Sequence, residues 1–458
     1  MTRRSFLSLP AVLPFAALVP AAGYSEHIFE YDHVIGTSLD LVVWARSKSE
    51  AEHVEGAVLE EIARLSDILS TRDPLSEISG LNGTGRLAAA ARSHDLTAVL
   101  AAYDDWKGRT GGALSIRPEG ENAPLNVDAL GKAYIIDQAV KAGLEEVPTI
   151  RALLLNIGGD IVVQGRECQF AVTDPRASHD NAGPITRIAL QNAAIATSGA
   201  YARGAHLLDA RNGLPVLQAA SATVIARDAV TANALAAALC VVSAEEGLPL
   251  VERTAGAEAL RIGSNGRIHR TSGFARFERP VPVRTAAVAD WPAGYQLTIA
   301  LTLTDGVPEY GGRGGFGGRR GGFGGRGFAK RPYVAVWIEN PSGKLVRVLA
   351  FWASKPRYYS ELASFWSAIG NQNKLYTLAR ATRPAGSYQL VWDGLDDNNK
   401  PVAPGTYRVV VETNQEHGTY GKRTGNIDCG SSASNTKLDA TANFEAVVIT
   451  YGPKPSQA

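Results

Sequence analysis

Residues 194–215 read Ala194-Ile-Ala-Thr-Ser-Gly-Ala-Tyr-Ala-Arg-Gly-Ala-His-Leu-Leu-Asp-Ala-Arg-Asn-Gly-Leu-Pro215. An apolar lead-in ends in Thr197-Ser198-Gly199. Arg203, a lone His206 and the turn Asp209-Ala-Arg-Asn-Gly213 follow, closed by Pro215. Hydroxyls, a guanidinium, an imidazole and loop glycines in so short a span suit an anion site, because glycines expose backbone N–H groups. A strand followed by a polar surface loop is the other reading of the same residues. For His206 and Asp209 it takes the form of a paired turn that fixes the loop.

Working outward, Thr223-Val224 precedes an alanine-rich helix over about 230–242. Upstream, Ala152 to Asn156 is an apolar strand meeting Ile157-Gly158-Gly159-Asp160, and Ile161-Val162-Val163 continues to Gly165. Paired glycines between strands make a tight turn or a place where backbone approaches a ligand. Before them, Asn126-Val-Asp-Ala-Leu-Gly-Lys132 sets a lysine at a helix start, which suits phosphate binding or a solvated helix face. Ser49 to Leu69 reads as one helix, with Val54, Val58, Ile62, Leu65 and Leu69 on an apolar face. Pro74 breaks any continuation, and Ser76 with Glu77 caps the next turn. Leu39 to Trp44 alternates as a strand, and Leu96 to Lys107 is a helix stopped by Thr110-Gly111-Gly112.

The chain has 458 residues, 45% of them hydrophobic, enough for two or three domains with real cores. A net charge of +1 gives no overall pull toward nucleic acid or membrane. Cys168, Cys240 and Cys429 form no CxxC or CxxCH, which argues against a disulfide framework, a cysteine zinc site and haem attachment. Thr2-Arg3-Arg4-Ser5-Phe6-Leu7, an apolar run to about Val19 and Pro20-Ala21-Ala22 read as a twin-arginine export signal over 1–22, and so as a bacterial periplasmic protein. A retained anchor is the alternative for that segment. No later segment is long and apolar enough to cross a bilayer.

In this order the motifs resemble one family, the flavin transferases that move FMN from FAD onto a threonine or serine of a partner protein. The matching elements are Gly36-Thr37, Leu65-Ser66 through Ser76-Glu77 to Leu81-Asn82, Gly112-Ala113, Lys132 through Asp137, Asn156 to Asp160, Thr197-Ser198-Gly199, His206 to Pro215 and Thr223-Val224. They cover about 27–270. The resemblance implies a phosphoryl transfer in which an acceptor hydroxyl attacks the FMN phosphate of FAD and AMP leaves, with Mg²⁺ offsetting the growing charge. It puts Ser76, Asn126, Lys132, Gly158, Gly159, Asp160, Thr197, Ser198, Arg203, His206 and Asp209 at the nucleotide. It also puts the carbonyl of Ala129 at a metal-ligand position.

Three departures qualify this. The family's metal helix carries Asp and, four residues on, Thr, where this chain has Asn233 and Ala237. An amide brings no charge and a methyl cannot coordinate, so Mg²⁺ is expected to be weak or lost. The aspartate expected after Gly112-Ala113-Leu114 is Ser115, and the stretch from there to Lys132 is short.

After Gly273 the composition changes. A proline-containing linker over 279–291 leads to strands at Tyr295 to Leu303, Tyr333 to Ile338, Leu345 to Trp352, Gly386 to Trp392 and Pro404 to Glu412. The run 311–327 is built of Arg-Gly-Gly and Gly-Gly-Phe units, read as a disordered hairpin loop, with an anionic surface or RNA as the other readings. Trp392-Asp-Gly…Gly405-Thr-Tyr looks like the immunoglobulin-like module of flagellar hook-capping proteins. It is closer to a periplasmic β-domain family found beside flavin transferases and flavin reductases. That family's acceptor-like motif survives at Tyr376 to Thr382 only in its last two residues. Asp428-Cys-Gly-Ser-Ser-Ala-Ser434 is a near-match, giving Ser434 as a modification candidate beside a plain Ser/Gly loop.

The expected architecture is an α+β flavin-transferase domain over 27–278 followed by an all-β, immunoglobulin-like sandwich over 292–453. The expected activity is FMN transfer from FAD to a periplasmic or membrane flavoprotein, without nucleic acid and with membrane association only through partners. A catalytically impaired fold that binds flavin or a partner is the alternative.

Overall fold

The structure is a computed structural model that describes residues 23–84, 92–177, 179–199, 208–215, 219–279, 291–292, 294–304, 331–353, 356–370, 382–415 and 418–454. The twin-arginine segment, most of the linker and the Arg/Gly-rich run lie outside them. The described residues form two compact units. One takes those up to Arg176 together with Arg187–Arg279; the other takes Ala177–Thr186 and those from Trp291 on.

The first unit opens with β1 (Ser25–Val34), β2 (Thr37–Ala45), α1 (Lys48–Leu69), α2 (Glu77–Thr84), α3 (His94–Arg109) and α4 (Asp128–Glu146). It continues through β3 (Ala152–Ile157), β4 (Asp160–Gln164), β5 (Cys168–Val172), β6 (Thr186–Leu190), β7 (Ala193–Ser198), β8 (Leu208–Asp209), β9 (Leu214–Pro215) and β10 (Ala219–Ala226). It closes with α5 (Ala229–Val241), α6 (Ala244–Glu252), β11 (Glu258–Gly263), β12 (Ile268–Arg270) and β13 (Glu278–Arg279). Eight strands form one antiparallel sheet in the order β1-β2-β3-β4-β7-β10-β11-β12.

Helix α1 starts where the Ser47 side chain accepts the Glu50 N–H, and it buries Val54, Val58, Ile62 and Leu65, the face expected from its periodicity. Gly143 lets α4 approach α1 closely, since a Cβ there would lie 2.9 Å from Val58 and 3.1 Å from Leu153. Helix α5 differs from both. From Ala232 to Val241 every residue is buried, so it has no solvent face and is enclosed by α4, β7 and β10.

Enclosure leaves the ends of α5 to be satisfied by protein. At its start Asp228 accepts the Thr231 N–H, and Asp137, reaching from α4, accepts the Ala229 and Val230 N–H groups. At its end the buried Arg261 guanidinium donates to the Leu239 and Val242 carbonyls. An acid at the positive end and a guanidinium at the negative end match the helix dipole.

The second unit holds β14 (Tyr295–Leu303), β15 (Tyr333–Glu339), β16 (Leu345–Trp352), α7 (Ala363–Ile369), β17 (Gly386–Trp392), β18 (Gly405–Asn414), β19 (Tyr420–Cys429), β20 (Ser434–Leu438) and β21 (Val447–Pro453). Two four-stranded sheets, β17-β14-β21-β20 and β16-β15-β18-β19, share a core of Leu297, Ile299, Val336, Trp392, Val409, Ile449 and Tyr451. Strand β15 is buried on both faces because a second core of Trp337, Phe351, Tyr359 and Phe365 covers its outer side. The buried Glu412 carboxylate pins that cover by accepting the Ser364 and Phe365 N–H groups and the Tyr420 hydroxyl.

The uninterrupted block 27–278 expected from sequence has an exception. Ala177–Thr186 lies between β5 and β6 in the chain yet clusters with the sandwich. Asp180 and Asn181 exchange hydrogen bonds with the main chain of Gln389 and Val391 at 2.6–2.9 Å, covering the open edge at β17.

Burial pushes the Asp137 carboxyl from its ordinary 3.8 up to about 7, against the pull of its two N–H donors. A carboxyl raised in the folded state contributes stability that is complete below its unfolded pKa and is lost as pH rises through about 7. The urea midpoint of the protein is expected to fall through this window, and Asp137→Asn, which keeps an acceptor oxygen without the charge, to flatten the fall. A variant curve parallel to the wild type would show that Asp137 does not titrate there.

Candidate functional site

The register of the large sheet brings the singled-out residues to one end of it. Ile157 pairs with Asp160 across the two-residue turn Gly158-Gly159, whose φ values of +53° and +106° suit a primed hairpin turn. Leu39 pairs with Ile157 on one side, and Ile161 with Ile195 on the other. Thr197 pairs with Thr223, their hydroxyls 3.0 Å apart, and Ser198 with Ala222. Gly158, Gly159, Asp160, Thr197 and Ser198 therefore end neighbouring strands at one level.

Below this row stands the start of α4. Its N-cap, Val127, offers no side-chain oxygen, and the first-turn donors are met from outside the cap, the Asp128 N–H by Asn126 Oδ1 at 2.9 Å. Ala129 sits in that first turn, where the Leu130 N–H reaches the buried Tyr103 hydroxyl. One turn further, Lys132 Nζ lies 2.5 Å from Asp160 Oδ2 and 3.4 Å from the Ile157 carbonyl. Asn233, from α5, donates its Nδ2 to the same Asp160 Oδ2 at 3.0 Å. One carboxylate thus ties together β4, α4 and α5.

Two supports were not singled out from sequence. Asp40 on β2 accepts Asn156 Nδ2 at 2.8 Å, which turns Asn156 Oδ1 toward the Gly159 N–H at 3.1 Å. A polar residue interrupting an apolar strand was the available signal for Asp40. Thr71 donates to Asp128 Oδ1 at 2.7 Å, and Asn82 brackets the main chain of Leu125, so the α1–α2 loop is laced to the start of α4.

Other expected site residues have structural duties. Ser76 is buried, donates to the Ser70 carbonyl and accepts the Ser79 N–H, which makes it the cap of α2. Asn126 is exposed and accepts the Asp128 N–H. Asp209 is gripped by Arg211, with its carboxyl held below the usual range chiefly by that side-chain hydrogen bond. Its carbonyl accepts the Asn212 and Gly213 N–H groups, which closes the turn. Arg203 and His206 lie outside the described residues. In the second unit, Ser434 donates its hydroxyl to the Asp428 carbonyl at 2.6 Å and so closes the β19–β20 turn.

The Mg²⁺ implied by the resemblance does not fit the residues present. Asp160 Oδ2 already faces an ammonium and an amide N–H₂, Asn233 presents its donor end, and Ala237, one turn along the same helix face, has only a methyl. Among the described residues no three or more His, Cys, Asp or Glu stand together as a metal site.

Residues 114–261 match the ApbE family, and residues 327–446 match a family described as a predicted periplasmic protein, DUF2271. The FAD:protein FMN transferase of Haemophilus influenzae is 28% identical over 163 residues, 32% of this chain and 46% of that protein. The chain thus matches about half the length of that relative. The ApbE protein of Thermotoga maritima has 23% identity and a TM-score of 0.49, covering 56% of this chain and all of that one. The flavin transferase ApbE of Vibrio cholerae has 20% identity and a TM-score of 0.47, covering 56% of this chain and 99% of that one. The described residues form an α+β unit followed by an all-β unit.

A Cβ on Gly158 would meet Thr37 Oγ1 at 2.5 Å in a conformation with positive φ. Gly158→Ala is expected to lower stability in urea melts by about 2–4 kcal/mol. Adding Thr37→Gly should recover the steric part of that loss. Additive single and double variants would rule out the contact as its source.

Proposed function

We propose that this chain is an exported FAD:protein FMN transferase that attaches FMN to a threonine or serine of a periplasmic redox protein. The observation that carries the reading is the Lys132–Asp160 pair at the Gly158-Gly159 turn, beside the start of α4. The match of residues 114–261 to the ApbE family supports it, and the DUF2271 match supports the periplasm. Twin-arginine export, which carries folded proteins, suits an enzyme that leaves the cytoplasm already assembled.

The reaction needs a held diphosphate and a placed hydroxyl. The acceptor oxygen attacks the FMN phosphorus, a P–O bond forms to it, and the anhydride bond to the AMP phosphate breaks with its electron pair going to AMP. The hydroxyl proton passes to water. Lys132, one turn into α4, carries the charge that offsets the leaving phosphate, and the positive end of the α4 dipole adds to it. The turn is formed of glycines, with Gly158 closed against Thr37, and Gly159 adds no side chain where a flat ring or a diphosphate must approach. Thr197 and Ser198 supply hydroxyls at the same level, and Asp160 fixes the direction of the lysine.

Incubation with FAD and a peptide bearing an Asp-x-x-Ser-Gly-Ala-Thr acceptor should give a peptide heavier by FMN less water, with one AMP released per peptide. Lys132→Ala is expected to slow labelling by about 10²–10³-fold, the scale of losing a charge-stabilising donor. Folded protein with bound FAD and no labelled peptide would sink the reading.

A further inference from the structure

We propose that this cleft holds the flavin diphosphate without a divalent cation, with Lys132 and Asn233 acting together on Asp160. The inference rests on the reading of the cleft as a flavin-nucleotide site. Its basis is the polarity of the three side chains. Asp160 Oδ2 receives both the Lys132 ammonium, at 2.5 Å, and the Asn233 amide, at 3.0 Å. The Asp160 side chain is 6% exposed, so the oxygen depends on protein for its donors.

Position 233 is matched to that oxygen. An aspartate there would turn a second set of acceptor-only oxygens toward Asp160, and two carboxylates at such a distance require a cation or a shared proton between them. An asparagine supplies the N–H that the buried carboxylate needs, and only its NH₂ end can face it. The asparagine is therefore a working partner of Asp160. Ala237, one turn later, has no polar atom to leave unsatisfied.

The charge balance follows. Removing a divalent cation together with one carboxylate ligand lowers the net charge of the site by a single unit. The Lys132 ammonium has three donors, of which one meets Asp160 and a second the Ile157 carbonyl at 3.4 Å. Its side chain is 20% exposed, so the third can reach a phosphate oxygen directly. A point charge on a flexible stem is a common phosphate ligand without any metal.

The test uses the mature protein and two probes, MgCl₂ alone followed calorimetrically and FAD followed by flavin fluorescence. The wild type should take up no Mg²⁺ at millimolar concentration, and its FAD affinity should be the same in EDTA and in Mg²⁺. Lys132→Met should weaken FAD by at least about tenfold. Asn233→Asp with Ala237→Thr should gain a Mg²⁺-dependent rise in melting temperature that the wild type lacks. Mg²⁺ uptake by the wild type, or FAD affinity about tenfold weaker in EDTA, would overturn the proposal. Failure to bind FAD in either buffer would instead remove the flavin reading, while the MgCl₂ titration still decides the metal.

Discussion

Helix α5 has no face to give to water. Its alanine-rich sequence lets sheet and helix backbones come close, and once it is enclosed every polar group on it must be met by protein. That requirement selects Asp137 and Asp228 for its first turn and Arg261 for its last. It also accounts for Asn233, a buried side chain that reaches Asp160 at the edge of the site. The site is an extension of the way the core helix is satisfied.

From Asp160 the same logic runs outward. The carboxylate orients Lys132, which leans over the Ile157 carbonyl at the head of the glycine turn. The turn is held from the other side by the chain from Asp40 through Asn156 to the Gly159 N–H. Side chains set on a sheet end and a helix start, both fixed by buried hydrogen bonds, are more rigid than side chains on a loop. The sandwich solves a comparable problem with one residue, because Glu412 holds the aromatic cover over β15 by accepting main-chain N–H groups of α7.

Much of this was legible in the sequence where the signal is local. The apolar spacing from Val54 to Leu65 gave α1, the glycine pair gave the hairpin turn, and alternation gave β14. Residue type alone did not assign duties. Ser76 and Asp209 are expected at the nucleotide, and in the fold one also caps a helix and the other also closes a turn, because both residue types serve turns as readily as ligands. The placement of Ala177–Thr186 with the sandwich had no sequence signal, since the pairing of Asp180 and Asn181 with β17 spans about 210 residues.

The sequence by itself determined the α+β then all-β order, the helix and strand periods, the glycine turn and the residue types at 233 and 237. These depend on neighbours within a few turns or on residue identity. Only the tertiary structure decided what Asn233 does, because an amide can donate or accept and the choice rests on Asp160, 73 residues away. Register across the sheet set Thr197 level with the glycine turn in the same way. Hydrogen-bond polarity becomes definite only when burial removes water as the alternative partner, and burial is a property of the closed fold.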